Sequence, residues 1–158
     1  MRLFQLIRPV TATVFAGALG VCLMGASQDP ITGADMNFAP TAMNALTQSI
    51  ANAEAVQTGS ASPAVNKLAA QIQTDELGLG TQLASLADYY GVNVKTDLPK
   101  ANDDASTFVH DQVTALTNLI AIMEAERNGG NASQLRTFAD GAVTVLQKDL
   151  QAAQAAEK

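Results

Sequence analysis

From residue 40 onward, apolar side chains recur at intervals of three and four, the spacing that lines one face of an α-helix. Met43, Leu46, Ile50 and Ala53 form the first such face, over about residues 40–57, and Thr58-Gly59-Ser60 interrupts it. Ser62-Pro63 then offers an N-cap hydroxyl followed by proline at a first helical position. The second face carries Val65, Leu68, Ile72, Leu79, Leu83, Leu86 and Tyr90, and Gly91 is placed to take the left-handed conformation that ends a helix. A third helix is expected from a cap at Asn102, Asp103 or Asp104 to about Arg127, along Phe108/Val109, Gln112/Val113, Leu116, Leu119/Ile120 and Met123. Asn128-Gly129-Gly130 breaks it, and a fourth begins near residues 131–133 and uses Leu135, Phe138, Ala142, Val145/Leu146 and Ala153. The pattern predicts an all-α fold, an antiparallel up-down-up-down four-helix bundle over residues 40–156, preceded by a flexible polar leader over 27–39.

Two beats of this pattern are polar. Where the second helix needs an apolar residue between Ile72 and Leu79 it has Asp75-Glu76, and the fourth has Asp149. At 1.5 Å per residue, Glu76 stands about 20 Å from the start of its helix and Asp149 about 24 Å from the start of its own. With both helices running the same way, a mid-bundle layer of Ser49, Glu76, Leu116 and Asp149 results. Two readings are open. Either the carboxylates lie at the edges of their stripes and reach water, as acids usually do, or they face each other in the interior. A buried pair must share a proton or bind a cation, because two bare charges in low dielectric are prohibitive. The metal reading selects Glu76 and Asp149, with Asp75 nearby, and all-carboxylate ligands favour Mg, Ca or Mn.

Composition narrows the chemistry. The chain has 158 residues, a net charge of -6, one His and one Cys. A Cys/His zinc site and an internal disulfide are therefore excluded. Nine scattered Lys and Arg residues offer no clustered face for nucleic acid. No phosphate-cradling loop, nucleophile elbow or Cys nucleophile is visible, so no enzyme activity and no cofactor are expected. His110 falls beside its stripe and is expected at the surface. Asp103-Asp104 reads as a helix cap rather than a calcium pair, Tyr89-Tyr90 as packing at a helix end, and Asn131-Ala132-Ser133 matches a short glycosylation sequon.

The first 26 residues read as an export signal. Arg2 and Arg8 precede an uncharged stretch over residues 10–23, and small residues follow at Gly25, Ala26 and Ser27. The stretch is short for a membrane span, which needs about 20 apolar residues. Cys22 also permits lipid anchoring, but the Leu19-Gly20-Val21 before it fits that poorly, and a hydrophobic Cys within the signal is preferred. Cleavage removes two arginines and no acid, which takes the net charge from -6 to -8. A periplasmic or secreted protein without a transmembrane span is expected.

Ser62-Pro-Ala-Val-Asn-Lys-Leu-Ala69, Thr74-Asp75-Glu76 and Leu83-Ala-Ser-Leu-Ala87 running into Gly91-Val92 resemble one family in their order and spacing. Leu135-Arg-Thr-Phe-Ala139 and Leu146-Gln-Lys-Asp-Leu150 extend the likeness through the fourth helix. The family is the exported bacterial proteins grouped as domain of unknown function 4142, ferritin-like helical bundles often labelled predicted outer membrane protein. The resemblance implies an Asp-His pair on the second helix and further histidines on the third and fourth. Here Asp75 is kept, while Glu76, Leu116 and Asp149 stand where the histidines would be. The expected role is that of a non-enzymatic envelope protein that interacts with an unknown envelope protein or with itself. The alternative is a degenerate ferritin-like domain binding a hard cation.

Overall fold

Thr32 and Asp35 start the first helix, seven residues earlier than Pro40 suggested. The Asp35 N–H donates to Thr32 Oγ1 at 3.5 Å and the Thr32 N–H to Asp35 Oδ2 at 2.6 Å, a reciprocal capping box. In the computed structural model, which describes residues 29–59, 61–95 and 99–157, the helices are α1 (Gly33–Thr58), α2 (Pro63–Tyr89), α3 (Phe108–Gly129) and α4 (Ser133–Ala156). The expected export signal and Cys22 lie outside the described residues. Most of the expected leader is thus helical, and Pro40 sits inside α1 rather than at its start. Proline there has no N–H for the Met36 carbonyl, a cost of about 3 kcal/mol. Burial of Phe38, Ala39, Ala42 and Met43 around it opposes that cost.

α2 begins and ends as expected. Ser62 Oγ accepts from the Val65 N–H at 3.3 Å. Gly91, at φ 67°, closes the other end, with Val92 N–H to the Ala87 carbonyl at 2.8 Å and Gly91 N–H to Asp88 at 3.0 Å. α3 starts at Phe108, past its expected caps. Asp104 instead organises the preceding turn, with Oδ1 accepting from the Ser106 N–H at 2.8 Å.

Side-chain contacts fix the helix directions. Asp35 at the start of α1 meets Asn131 and Ala132 at the start of α4. Ser49, in the later half of α1, meets Gln112 near the start of α3, and His110 meets Glu157 beyond the end of α4. α1 and α4 therefore rise while α2 and α3 descend. Neighbours around the bundle are α1·α2, α2·α4, α4·α3 and α3·α1, each pair antiparallel. The expected all-α, antiparallel four-helix bundle is present, but its chain order is up-down-down-up, not up-down-up-down. The connection from α2 to α3 crosses the length of the bundle instead of turning back at one end. It passes the later half of α1, where Gln48 Nε2 donates to the Lys100 carbonyl at 3.2 Å and the Asn102 N–H donates to Asn52 Oδ1 at 2.9 Å. The 18 residues from 90 to 107 can reach about 3.3 Å each, well over the roughly 40 Å of a helix this long.

The core is built from Leu46, Ile72, Leu83, Leu116, Leu119, Met123, Leu135 and Leu146, all fully buried. Buried alanines (Ala42, Ala53, Ala69, Ala139, Ala153) let the helices approach closely. Phe38 and Phe138 pack across one end with ring centroids 6.3 Å apart. Among the described residues no helix is long and apolar enough to cross a membrane.

Candidate functional site

The mid-bundle layer survives the change of helix direction. Glu76 lies near the middle of α2, so inverting the helix leaves its height almost unchanged. Glu76 and Asp149 are both 0% exposed, which overturns the expectation that they reach water at the stripe edges. Ser49 shares this level, Gln112 joins it from α3, and Leu116 is buried one helical turn beyond Gln112.

The polar groups of this layer are unevenly satisfied. Ser49 Oγ donates to Gln112 Oε1 at 2.9 Å, so its proton is committed although its oxygen faces Glu76. Gln71 donates to Asp149 Oδ1 at 2.7 Å. Both oxygens of Glu76 and Oδ2 of Asp149 are buried without a hydrogen-bond partner. Burial pushes the Glu76 carboxyl up to about 8, and the charges of Asp149 and Asp75 add to the effect against the opposing influence of Ser49. Burial also raises Asp149, helped by Asp75 and opposed by Gln71 and Lys148. Glu76 is therefore a neutral acid at pH 7, and the lone pair of Ser49 Oγ is the acceptor open to its proton. Asp75 sits at the rim, 28% exposed, and accepts from Lys148 Nζ at 3.2 Å.

The three expected ligands thus converge on one region, with Asp75 turned toward Lys148. Among the described residues no three His, Cys, Asp or Glu side chains are grouped to hold a metal ion. His110 is 74% exposed and pairs with Glu157 at 2.9 Å, a surface position as expected.

A second buried acid pair escaped the sequence reading. Asp35 Oδ1 accepts from the Asn131 N–H at 2.7 Å and the Ala132 N–H at 3.1 Å, while Oδ2 serves Thr32. Burial opposes its charge, but these hydrogen bonds outweigh burial and hold Asp35 below the usual carboxylate range. Glu126, 4% exposed, lies beside it. Burial, followed by a hydrogen bond to Asp35 and its charge, pushes Glu126 up to about 7 against the pull of Arg136. Two signals could have found the pair. Thr32-x-x-Asp35 is a capping-box pattern, and Glu126 continues the stripe of Leu116, Leu119 and Met123.

Two grooves lie outside the mid-bundle layer, and the second reaches the Glu126 end. One of about 440 Å³ borders Gly91 and Val92, and one of about 320 Å³ runs between Phe38 and Glu126. No curated protein and no solved structure matches the chain. A family model described as domain of unknown function (DUF4142) matches residues 21–156. With the match covering most of its length, the chain belongs to that family.

Proposed function

We propose that this chain is an exported, non-enzymatic helical-bundle protein of the bacterial envelope, periplasmic or secreted once its leader is removed. Its role is interaction or structure, with an envelope protein or a second copy of itself as partner. The observation that carries this reading is the complete burial of Glu76 and Asp149, the most strongly perturbed acids at mid-bundle. Nothing larger than a proton or a bare ion reaches them unless the helices part, so they are poorly placed to act on a substrate. The single long crossover between α2 and α3 is also the connection that ferritin-like bundles use, which supports that kinship. Cross-linking in an envelope fraction is expected to trap the chain with one partner or with itself. Robust turnover by the purified protein on any substrate panel overturns the reading.

One observation favours a second reading. Three acceptor oxygens, two on Glu76 and one on Asp149, are buried without donors. A hard cation such as Mg, Ca or Mn, replacing the proton of Glu76 with Asp75 at the rim, satisfies them. Thermal melts with each chloride salt test this. Saturation at a hundredfold excess over Kd is expected to stabilise by about 2.7 kcal/mol, and Glu76→Gln with Asp149→Asn is expected to abolish the gain. Melts that do not move with any of the three salts remove the cation reading and leave the first intact.

A further inference from the structure

The start of α1 is held by an arrangement that a single proton controls. Asp35 reaches from α1 to the first N–H groups of α4 and also caps its own helix through Thr32. With these donors on both oxygens, Asp35 stays ionised, so a proton at this end resides on Glu126 and points to Asp35. Glu126 Oε1 has no hydrogen-bond partner and packs against Gly130, where a Cβ would stand 2.2 Å from it. The charged groups acting on Glu126 are Asp35 from α1 and Arg136 from α4; just past the end of α2, Tyr90 lies within electrostatic reach of Asp35.

Two further features weaken the same seam. Pro40 removes the helical hydrogen bond to the Met36 carbonyl, which uncouples the first turns of α1 from the rest. The groove of about 320 Å³ runs along this seam, between Ala34 and Phe38 on α1 and Ile122 and Glu126 on α3.

We propose that the first turns of α1 are a proton-controlled latch, closed by a proton shared between Asp35 and Glu126, hinged at Pro40, and parted from α3 when Glu126 ionises. Ionisation sets two buried carboxylates side by side with Arg136 as the nearby cation, and the seam that yields is the grooved one. The open state hydrates Glu126 and returns it to its ordinary acidity, so opening is favoured as pH rises and levels off once the closed form has also lost its proton.

Hydrogen exchange resolved by segment, corrected for the intrinsic pH dependence of exchange, tests the latch in the purified protein. Protection across residues 33–39 is expected to fall by about tenfold per pH unit from pH 5 and to flatten above about 7, where Glu126 titrates. Protection in the middle of α4 is expected to lack this step. Glu126→Gln keeps a donor toward Asp35 and cannot ionise, so protection of 33–39 in that variant is expected to be independent of pH. Pro40→Ala restores the missing hydrogen bond and is expected to raise protection at every pH without removing the slope. Wild-type protection of 33–39 that is flat with pH, or a slope retained in Glu126→Gln, overturns the proposal. If Glu126→Gln does not fold, a carboxyl-carbon titration of wild-type Glu126 decides, and a midpoint near that of a free glutamate overturns it.

Discussion

Replacing Glu76 by glutamine should make the protein more stable at neutral pH, although it alters a fully buried side chain. The Glu76 carboxyl rises from its usual 4.5 to about 8 on folding. A raised value means that the folded chain holds a proton that the unfolded chain releases. The stability linked to this group is thus fully present below pH 4.5 and is lost as pH climbs through about 8. At about 1.4 kcal/mol per pH unit, the loss is roughly 3 kcal/mol by pH 7 and about 4 kcal/mol by pH 8, where the folded group is itself half ionised. Glutamine has nearly the same shape and carries no such penalty. Its cost is a buried amide that is only partly partnered, about 1–3 kcal/mol, with Ser49 Oγ and Gln112 beside it. Urea unfolding of both proteins at steps from pH 4.5 to 8.5 measures the difference. The variant is expected to be less stable at the acid end, to cross near pH 6, and to be ahead by about 2 kcal/mol or more at pH 8. Glu126, which answers to Asp35 and Arg136 rather than to Glu76, titrates in both proteins and cancels in the comparison. A difference that stays constant across the range refutes the assignment of a buried, proton-bearing Glu76.

Leu116→Ala, opening a cavity in the core one turn beyond Gln112, should cost about 2–5 kcal/mol in denaturant unfolding. Asp35→Asn should cost about 1.5–3 kcal/mol, since its hydrogen bonds are made to a charged acceptor. Because the Asp35 carboxyl is lowered on folding, its contribution is present above its usual 3.8 and lost as pH falls below that. The variant should therefore lack part of the wild-type acid destabilisation below pH 4 in melts followed by circular dichroism. Lys148→Ala should change stability by less than about 0.5 kcal/mol, because its contact with Asp75 is an exposed ion pair. A large loss there would mean that Asp149 depends on Lys148 for its charge balance.

Much of the fold was legible because helix signals are local. Ser62-Pro63 and Gly91 mark both ends of α2 in the sequence, and the cap geometry agrees. Helix direction is set by a connection that lacks its own periodic pattern, so the crossover was not legible. The mid-bundle layer was nevertheless found, because a residue halfway along a helix keeps its height whichever way the helix runs. Asp35 was hidden by Pro40, whose preference for a first turn is real but yields here to the Thr32 capping box. Burial of Glu76 and Asp149 could not be read from the stripe, since an acid between two core leucines can either reach outward or stay in, and packing decides.

The crossover divides the chain into two helical hairpins, α1 with α2 and α3 with α4. Both acid sets straddle the joint between them. Ser49 and Glu76 come from the first hairpin, while Gln112 and Asp149 come from the second. Asp35 likewise faces Glu126, Asn131 and Ala132 across it. Ionisation of the interior therefore burdens the docking of the hairpins more than the pairing of helices within either one. Alkaline conditions act as a wedge at that joint, and two hairpins supplied as separate chains should reassemble best in mild acid.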